Sequence, residues 1–467
     1  MFPDLKPQER TAPLTRIWAE QALTASGWAD AVAIDIGEDG KIASLAEGAA
    51  PDGLRVGVLL PAPANIHSHA FQRAMAGMTE ARGPDPKDSF WTWRKLMYGF
   101  LAHLGPDDVE AIAALVLMEM LEAGYACVAE FHYLHHQPGG APYDNVAELS
   151  TRIAAAANET GIGLTLLPVL YEQGGCDGRP LEGGQLRFGN TPDRFAKLRE
   201  AASAALAGLP RDAVIGAAAH SLRAVSPESL TRCAELAKDS PFHIHIAEQT
   251  AEVDEVAAAR GKRPVEWLLE NHDVNERWCM IHATQMKPHE TEALAKSGAV
   301  AGLCPITEAN LGDGIFDGAR YLEHGGRFGI GSDSNIRIAL AEELRLLEYS
   351  QRLRDVARAV LATRTASTGR VLFEGAARGS AQAAGRNSGA LETGRLADLV
   401  ALDSTAIDLA GKKGDSLLDS YIFAVGDRLV TDVWSAGRHM VQGGRHIKRD
   451  AILAHYHKQV AKLKSKF

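Results

Sequence analysis

The stretch "NIHSHAFQR" at residues 65–73 contains two histidines separated by one residue, directly after an apolar run. Side chains alternate between the two faces of an extended segment, so His67 and His69 point to the same side and can reach one ion. Neutral imidazoles are ligands for zinc and, on ligand type alone, equally for iron(II). A single His-x-His match is common by chance and by itself favours a structural role. Further ligands elsewhere in the chain must therefore decide whether this pair binds a metal.

Other apolar runs end on residues with the same chemistry. His245 and His282 each close a run, Asp333 closes another, and Glu248 follows His245 by three positions. Each has an ordinary alternative role, since Asp333 could cap a helix and His282 could be a hydrogen-bonded core histidine. The coincidence of suitable groups at four strand ends nevertheless favours a metal site, because a functional site requires convergent residues.

The segments that carry these residues alternate between short apolar runs and longer amphipathic ones. Apolar runs without strict polar alternation are typical of parallel strands that are buried on both faces. Eight such strand–helix units predict an α/β protein with a (β/α)8 TIM barrel, in which chemistry gathers at the C-terminal ends of the strands. The predicted strands are 56–66, 125–133, 162–171, 213–221, 242–248, 278–284, 299–307 and 327–334.

Both ends of the chain have a different pattern. Residues 1–55 and 389–447 show short strand patterns and tight turns in place of the strand–helix alternation. We expect these ends to combine into one small flanking β-sandwich domain beside a barrel at 56–388. A C-terminal helix is expected at 448–467.

Composition excludes several classes of partner. A net charge of -10 and a pI near 6.0 argue against a nucleic-acid or anionic-membrane surface, so an anionic ligand needs a local cluster of Arg or Lys. No apolar segment reaches the roughly 20 residues that span a bilayer, and the first residues lack the apolar core of a signal peptide. Five scattered cysteines without a CxxC pair indicate reduced thiols, and we expect a cytoplasmic protein.

Several motifs together resemble the amidohydrolase superfamily. These are "NIHSH", "HIHIAE", "MIHAT" and "GIGSDS", and the tail "GALETGRLADLVALD" resembles the usual return into the flanking β-domain. The fourth strand ends "AAAHSLRAV" without a lysine to bridge two metals, so the chain resembles the mononuclear deaminase branch. More narrowly, "HSHAFQRAMAG", "DSFWTWRKLMY", "AEFHYLHH", "HSLRAV", "HIHIAEQ" and "TEANLGDGIF" resemble the formimidoylglutamate deiminases.

The resemblance implies hydrolysis of N-formimino-L-glutamate to N-formyl-L-glutamate and ammonia in histidine degradation, by a homodimer. It implies one zinc ion per subunit, with Fe2+ as an alternative, bound by His67, His69, His245 and Asp333. It also implies catalytic roles for Glu248 as proton shuttle, for His282 as the group that polarises the amidine, and for Asp333 as acceptor of the water's proton.

A small-molecule dicarboxylate substrate requires cations in this acidic protein. Arg94 and Arg223 fall just after the first and fourth strands, and an arginine can bind a carboxylate through two parallel hydrogen bonds. An ordinary surface ion pair uses the same geometry, so the bare sequence leaves both roles open. The substrate contacts expected with the resemblance are Gln72, Arg94, Tyr133, His220 and Arg223.

Four positions depart from the family pattern, namely Ala62, Ala64, Ile306 and Asn335. The cluster His132, His135 and His136 is a rival metal-binding group, but its irregular spacing and predicted loop position favour surface or pocket-lining roles. His243 is expected to pack beneath His245. The competing functions are a deaminase of a heterocycle such as guanine, cytosine or an adenosine derivative, a hydrolase of amide or carbon–halogen bonds, and an inactive scaffold. A scaffold should have lost ligands or Glu248, whereas all of them are present.

Overall fold

The computed structural model describes residues 15–80 and 90–464, except for the side chains of residues 90–95 and 464. Its strands are β1 (Thr15–Thr24), β2 (Gly27–Ile36), β3 (Ile42–Ala46), β4 (Leu54–Pro61), β5 (Ala64–Ser68), β6 (Cys127–His132), β7 (Gly163–Leu170), β8 (Val214–Ile215), β9 (Ala217–Ser221), β10 (Phe242–Ile246), β11 (Trp278–His282), β12 (Val300–Leu303), β13 (Arg327–Ile330), β14 (Leu399–Leu402), β15 (Val430–Ser435), β16 (Arg438–Gln442) and β17 (Arg445–His446).

The α-helices lie between and after these strands. They are α1 (Phe90–Leu101), α2 (Pro106–Glu122), α3 (Glu148–Thr160), α4 (Pro192–Ala205), α5 (Pro227–Leu236), α6 (Thr250–Arg260), α7 (Pro264–Asn271), α8 (Pro288–Lys296), α9 (Pro305–Leu311), α10 (Gly318–Glu323), α11 (Leu340–Asp355), α12 (Thr368–Ala383), α13 (Asp415–Ser420) and α14 (Arg449–Lys464). A 3₁₀ turn at Ala70–Met75 follows β5. None of the helices in the described ranges combines the length and apolar character that crossing a bilayer requires.

The parallel strands β5 to β13 pair in sequence order and form the predicted barrel. The short strands β8 and β9, separated by Gly216, together occupy the fourth position beside β7. The barrel closes where Ser68 at the end of β5 pairs with Asp333 beyond β13. Every residue of β6 and of β7 is buried, which is why their sequences lack polar alternation. The predicted (β/α)8 architecture is therefore confirmed.

The helices begin where the sequence provides capping groups. Ser226 Oγ accepts a hydrogen bond of 3.2 Å from the backbone N–H of Ser229 at the start of α5. Thr191 and Ser367 cap α4 and α12 in the same way. Gly161 ends α3 in the left-handed conformation that a glycine adopts without steric cost.

The two chain ends form a separate sheet, in the order β17-β16-β15-β14-β4-β1-β2-β3. Its pairs are antiparallel except for β1 with β4. Side chains from both halves of this sheet, including Ile36, Ile42 and Trp434, bury one common core, so the sheet curls over itself. The flanking β-domain built from both ends is thus present.

The predicted single strand at residues 56–66 was wrong. The run 56–66 divides into β4, which lies in the flanking sheet, and β5, which begins the barrel, so the chain enters the barrel at Ala64 rather than at residue 56. Pro61 and Pro63 lie at the division, and a proline lacks the N–H that a sheet ladder needs.

A buried ionic network joins the flanking sheet to the barrel. Arg386 after α12 donates to Asp398 beside β14 through two hydrogen bonds of 2.5 and 2.8 Å. Its second anion is Asp212 at 2.9 Å, which also accepts from Arg438 of β16 at 2.7 Å. The side chains of Arg386 and Asp398 are both 1% exposed. Since a desolvated charge is costly without its counterion, this network should hold the two parts of the chain together.

We expect Asp398→Ala to lower the free energy of unfolding by about 3–5 kcal/mol, because it removes one partner of a buried pair. The measurement is the urea midpoint followed by circular dichroism. Glu392→Ala is the control, since Glu392 pairs with Arg395 at the surface and such pairs contribute below about 1 kcal/mol. Equal midpoints for the two variants would contradict the structural role of the network.

Candidate metal and active site

Three histidines and one aspartate converge at the C-terminal mouth of the barrel. The Nε2 atoms of His67 on β5 and His245 on β10 are 3.0 Å apart. Asp333 Oδ1 lies 3.3 Å from His69 Nε2 and 3.4 Å from His67 Nε2. The ligand atoms of the three histidines all lie within 4.8 Å of one another. The predicted ligand set is therefore gathered around one point.

The rings of His69 and His245 are each oriented by a hydrogen bond from the nitrogen that faces away from the shared centre. His69 Nδ1 donates to the carbonyl oxygen of Phe131 at 3.0 Å, and His245 Nδ1 donates to that of His220 at 2.9 Å. A carbonyl can only accept, so Nδ1 of each neutral ring carries the proton and the Nε2 lone pair points to the shared centre. This arrangement is typical of histidines that bind metals.

Burial also prepares these rings as ligands. It lowers the pKa of His67 and of His245 well below the ordinary value, with help from the neighbouring imidazoles. Burial likewise lowers the pKa of His69, although Asp333 opposes the shift. Neutral imidazoles and one carboxylate, all buried and convergent, fit a divalent transition metal.

Two further groups stand beside this centre. His282 Nε2 lies 3.9 Å from Glu248 Oε1 and 3.8 Å from Asp333 Oδ2. Burial raises the pKa of Glu248 to about 7, despite the opposing influence of His282. Burial opposes charge on His282, but the carboxylates of Glu248 and Glu308 outweigh it and raise its pKa to about 10. A proton donor and a proton acceptor are thus adjacent.

Several residues here adopt backbone conformations that side chains rarely tolerate. Ala247, His282, Ala283, Asp333 and Asn335 all have φ between 47° and 71°. Such positions require support from surrounding structure, and they cluster at functional sites. They lie at or just beyond the ends of β10, β11 and β13.

The pocket above the metal-binding centre has a cavity volume of about 50 Å³. Gln72 lies in it and donates from Nε2 to Tyr133 Oη at 2.8 Å. The His220 ring packs against the Tyr171 ring at an interplanar angle of 60°, with the ring centroids 4.5 Å apart. Arg223 lines the same pocket and is 8% exposed. Four of the five predicted substrate contacts are therefore brought together, and the side chain of Arg94 lies outside the described residues.

The rival histidine cluster is buried and structural, so the surface or pocket-lining role expected for it was wrong. His135 Nε2 lies 3.0 Å from the carbonyl of Val169, and His136 Nε2 lies 2.9 Å from that of Gly189. Neither ring lines the pocket, since His135 contacts β7 and His136 contacts the segment that precedes α4. His243 packs as expected, with Nε2 2.8 Å from the carbonyl of Ala383.

The sequence assigned no role to several buried carboxylates at the site. Glu252 accepts from the backbone N–H groups of Ala247 and Glu248, at 3.2 and 3.1 Å, and so holds the Glu248 backbone. Glu308 contacts His282 Nδ1 at 3.3 Å. In the sequence, only their position could have pointed to such a role, because each acid lies in the first turn of a helix that follows a barrel strand.

The chain is similar to known proteins along most of its length. The amidohydrolase family model matches residues 58–440, and that of the formimidoylglutamate deiminase HutF N-terminal domain matches residues 14–54. A formimidoylglutamate deiminase from Pseudomonas aeruginosa is 50% identical over 437 residues, covering 93% of this chain and 96% of that protein. The crystal structure of an amidohydrolase from Brucella melitensis has a TM-score of 0.92 at 50% identity, covering 96% of this chain and 99% of that one.

A more distant structure is an adenosine deaminase from Xanthomonas campestris with bound zinc. It has a TM-score of 0.81 at 21% identity and covers 96% of this chain and 98% of its own, so it shows the common fold. The chain belongs to the amidohydrolase family, whose members are metal-dependent hydrolases. Within that family it is a homologue of formimidoylglutamate deiminase and acts on carbon–nitrogen bonds.

We expect His245→Ala to weaken metal binding by more than about 100-fold, beyond the 10- to 100-fold effects of residues that only support a ligand. Metal content after dialysis against a graded series of chelator concentrations measures this. Glu248→Gln is the matched comparison from the same strand end and should retain the metal. Full metal content in His245→Ala would remove His245 from the ligand set.

Proposed function

We propose that the protein hydrolyses N-formimino-L-glutamate to N-formyl-L-glutamate and ammonia with one bound zinc ion, as a step of histidine degradation. The observation that carries the proposal is a buried His–His–His–Asp centre beside a pocket that contains the buried Arg223, in a chain 50% identical to a formimidoylglutamate deiminase. The same resemblance leads us to propose a homodimer, and the scattered cysteines lead us to propose a cytoplasmic location.

The donor set supports zinc, although iron(II) accepts the same ligands. His67, His69, His245 and Asp333 would hold the ion. Zinc bound there supplies a water molecule whose pKa falls from about 15.7 towards 7, which makes hydrolysis possible at neutral pH. The zinc bound in the Xanthomonas campestris adenosine deaminase supports this choice of metal.

Glu248 is the proton carrier in this proposal. Its carboxyl group, with a pKa raised to about 7 chiefly by burial, can both take up and release a proton near neutrality. The oxygen of water adds to the formimino carbon, and the bond from that carbon to the terminal nitrogen then breaks. Glu248 delivers a proton to that nitrogen, so the leaving group is ammonia rather than an amide anion.

His282 and Asp333 complete the machinery. His282 Nε2 lies between Glu248 and Asp333, where a hydrogen bond from it can stabilise the tetrahedral centre that forms at the formimino carbon. Asp333 Oδ2 faces His282, while Oδ1 faces the histidine ligands. This carboxylate can therefore accept a proton from the attacking water on the side of the reacting carbon.

Charge complementarity supports the dicarboxylate substrate. The substrate carries two carboxylates and an amidine, and the pocket combines an arginine with carboxylates near the ligand centre. Arg223, and Arg94 by resemblance, would bind the carboxylates, with hydrogen bonds from Gln72, Tyr133 and His220. A neutral heterocycle would use the aromatic walls of the pocket but would offer no carboxylate to these arginines.

The test is ammonia release by the zinc-loaded protein from N-formimino-L-glutamate, N-formimino-L-aspartate, guanine and cytosine. We expect rapid release from N-formimino-L-glutamate, weaker release from the shorter homologue, and none from the bases. Glu248→Gln should retain zinc and lose turnover by about 10²–10⁴-fold, the usual contribution of general acid–base catalysis. Preferred turnover of guanine or cytosine would replace this function with the heterocycle deaminase.

We expect Arg223→Ala and Arg94→Ala each to raise KM for N-formimino-L-glutamate about 10- to 100-fold with a smaller effect on kcat, since hydrogen bonds between charged groups contribute about 1.5–3 kcal/mol. Steady-state kinetics measure both parameters. Arg232→Ala is the control, because Arg232 is exposed and pairs with Asp193 on the outside of the barrel. Unchanged KM in both pocket variants would rule out these arginines as the carboxylate-binding groups.

A further inference from the structure

Glu308 is held rigidly at the start of α9. Its Oε1 atom accepts a hydrogen bond of 2.9 Å from the backbone N–H of Cys304, the residue that precedes the helix. The backbone N–H of Glu308 in turn donates to the carbonyl of Cys304 at 2.9 Å. These two bonds fix the carboxylate relative to the end of β12, and the residue is only 5% exposed.

The same oxygen atom holds one side of the His282 ring. His282 Nδ1 lies 3.3 Å from Glu308 Oε1, while Nε2 on the opposite side faces Glu248 and Asp333. A ring turned over about its Cβ–Cγ bond would place carbon atoms against these three carboxylates and lose every one of these contacts. Glu308 does not line the substrate pocket, whereas its neighbour Thr307 does, so its direct contact with the predicted catalytic groups is the one with His282.

We infer that Glu308 is a positioning residue for the proposed hydrolysis, which accepts a hydrogen bond from Nδ1 of His282 and so directs Nε2 towards Glu248 and Asp333. This inference rests on the proposed function for its effect on turnover. A carboxylate that orients a catalytic histidine through the other ring nitrogen is a recurring arrangement in enzymes, because it fixes the ring and stabilises charge on it during proton transfer.

Glu343 of α11 provides a matched comparison, because it also supports α9. Its Oε2 accepts a hydrogen bond of 2.8 Å from the backbone N–H of Ile306, two residues after Cys304. Glu343 is fully buried. Glu308 and Glu343 therefore both support the first turn of α9, but the described contacts of Glu343 do not include His282. Loss of helix support should affect both variants, whereas loss of ring orientation should affect only the Glu308 variant.

The experiment compares zinc-loaded Glu308→Met, Glu308→Gln and Glu343→Met. Met has a similar size but no strong acceptor, so Glu308→Met should lower kcat by about 10- to 100-fold, with KM changed less than about threefold and zinc retained. The amide oxygen of Gln can accept both hydrogen bonds, so Glu308→Gln should recover most of the lost kcat. Glu343→Met should keep the wild-type kcat. If Glu308→Met does not fold, Glu308→Asp, which cannot reach both donors, replaces it with the same expectation.

A measurement independent of substrate separates the two proposals. In protein labelled with ¹⁵N-histidine, the imidazole N–H signal of His282, assigned by its absence in His282→Asn, should be present in the wild type, Glu308→Gln and Glu343→Met. It should be lost by exchange with water in Glu308→Met. A retained signal with wild-type kcat in Glu308→Met, or an equal loss of kcat in Glu343→Met, would overturn the inference. If the wild type does not act on N-formimino-L-glutamate, the proposed function fails, and the His282 signal alone decides the role of Glu308.

Discussion

Closure of the barrel between its first and last strands is the constraint on which the site depends. The backbone N–H of Asp333 donates to the carbonyl of His67, and that of His69 donates to the carbonyl of Asp333, both at 2.9 Å. Asn65 and Asn335 reinforce the junction through Ser332, with hydrogen bonds of 2.6 Å. Side chains more than 260 positions apart in the chain, such as His67 and Asp333, thereby meet as a consequence of the fold. The left-handed φ of 47° at Asp333 is tolerated because this network holds it.

Exclusion of water then gives the clustered groups their chemistry. One desolvated environment lowers the pKa of the ligand histidines, so that they offer lone pairs, and raises the pKa of Glu248, so that it can carry a proton. Burial and the Glu248 carboxylate also raise the pKa of Asp313 to about 9. Its neutral form would limit the negative charge gathered around Glu248. Burial favours the neutral form of both the histidines and Glu248, so both kinds of group can share one desolvated environment.

Sequence reasoning succeeded where function coincides with a regular element. His67, His69, His245 and Asp333 lie at strand ends that periodicity alone identifies, and the barrel architecture that gathers them is confirmed. It failed for residues 56–66, where one apolar run supplies a strand to each of two sheets. Composition cannot show that Pro61 and Pro63 divide β4 from β5. It also failed for His135 and His136, since a histidine that donates to a buried carbonyl has no distinctive neighbours in sequence. Glu308 was missed for a related reason: a glutamate in the first turn of a helix is common, and its distance to His282 exists only in three dimensions.

The charge distribution of the pocket gives the strongest physical argument about the substrate. Arg223 is almost buried, and its electrostatic influence extends to Glu248 and Glu252. A carboxylate of a ligand in the pocket can accept charge-assisted hydrogen bonds from this guanidinium. A neutral purine or pyrimidine could stack on Tyr133 and Phe188 but would offer no carboxylate to the guanidinium. An amidine attached to a dicarboxylate meets both requirements, because its carboxylates pair with the cation while its nitrogen end faces the carboxylates of the catalytic centre.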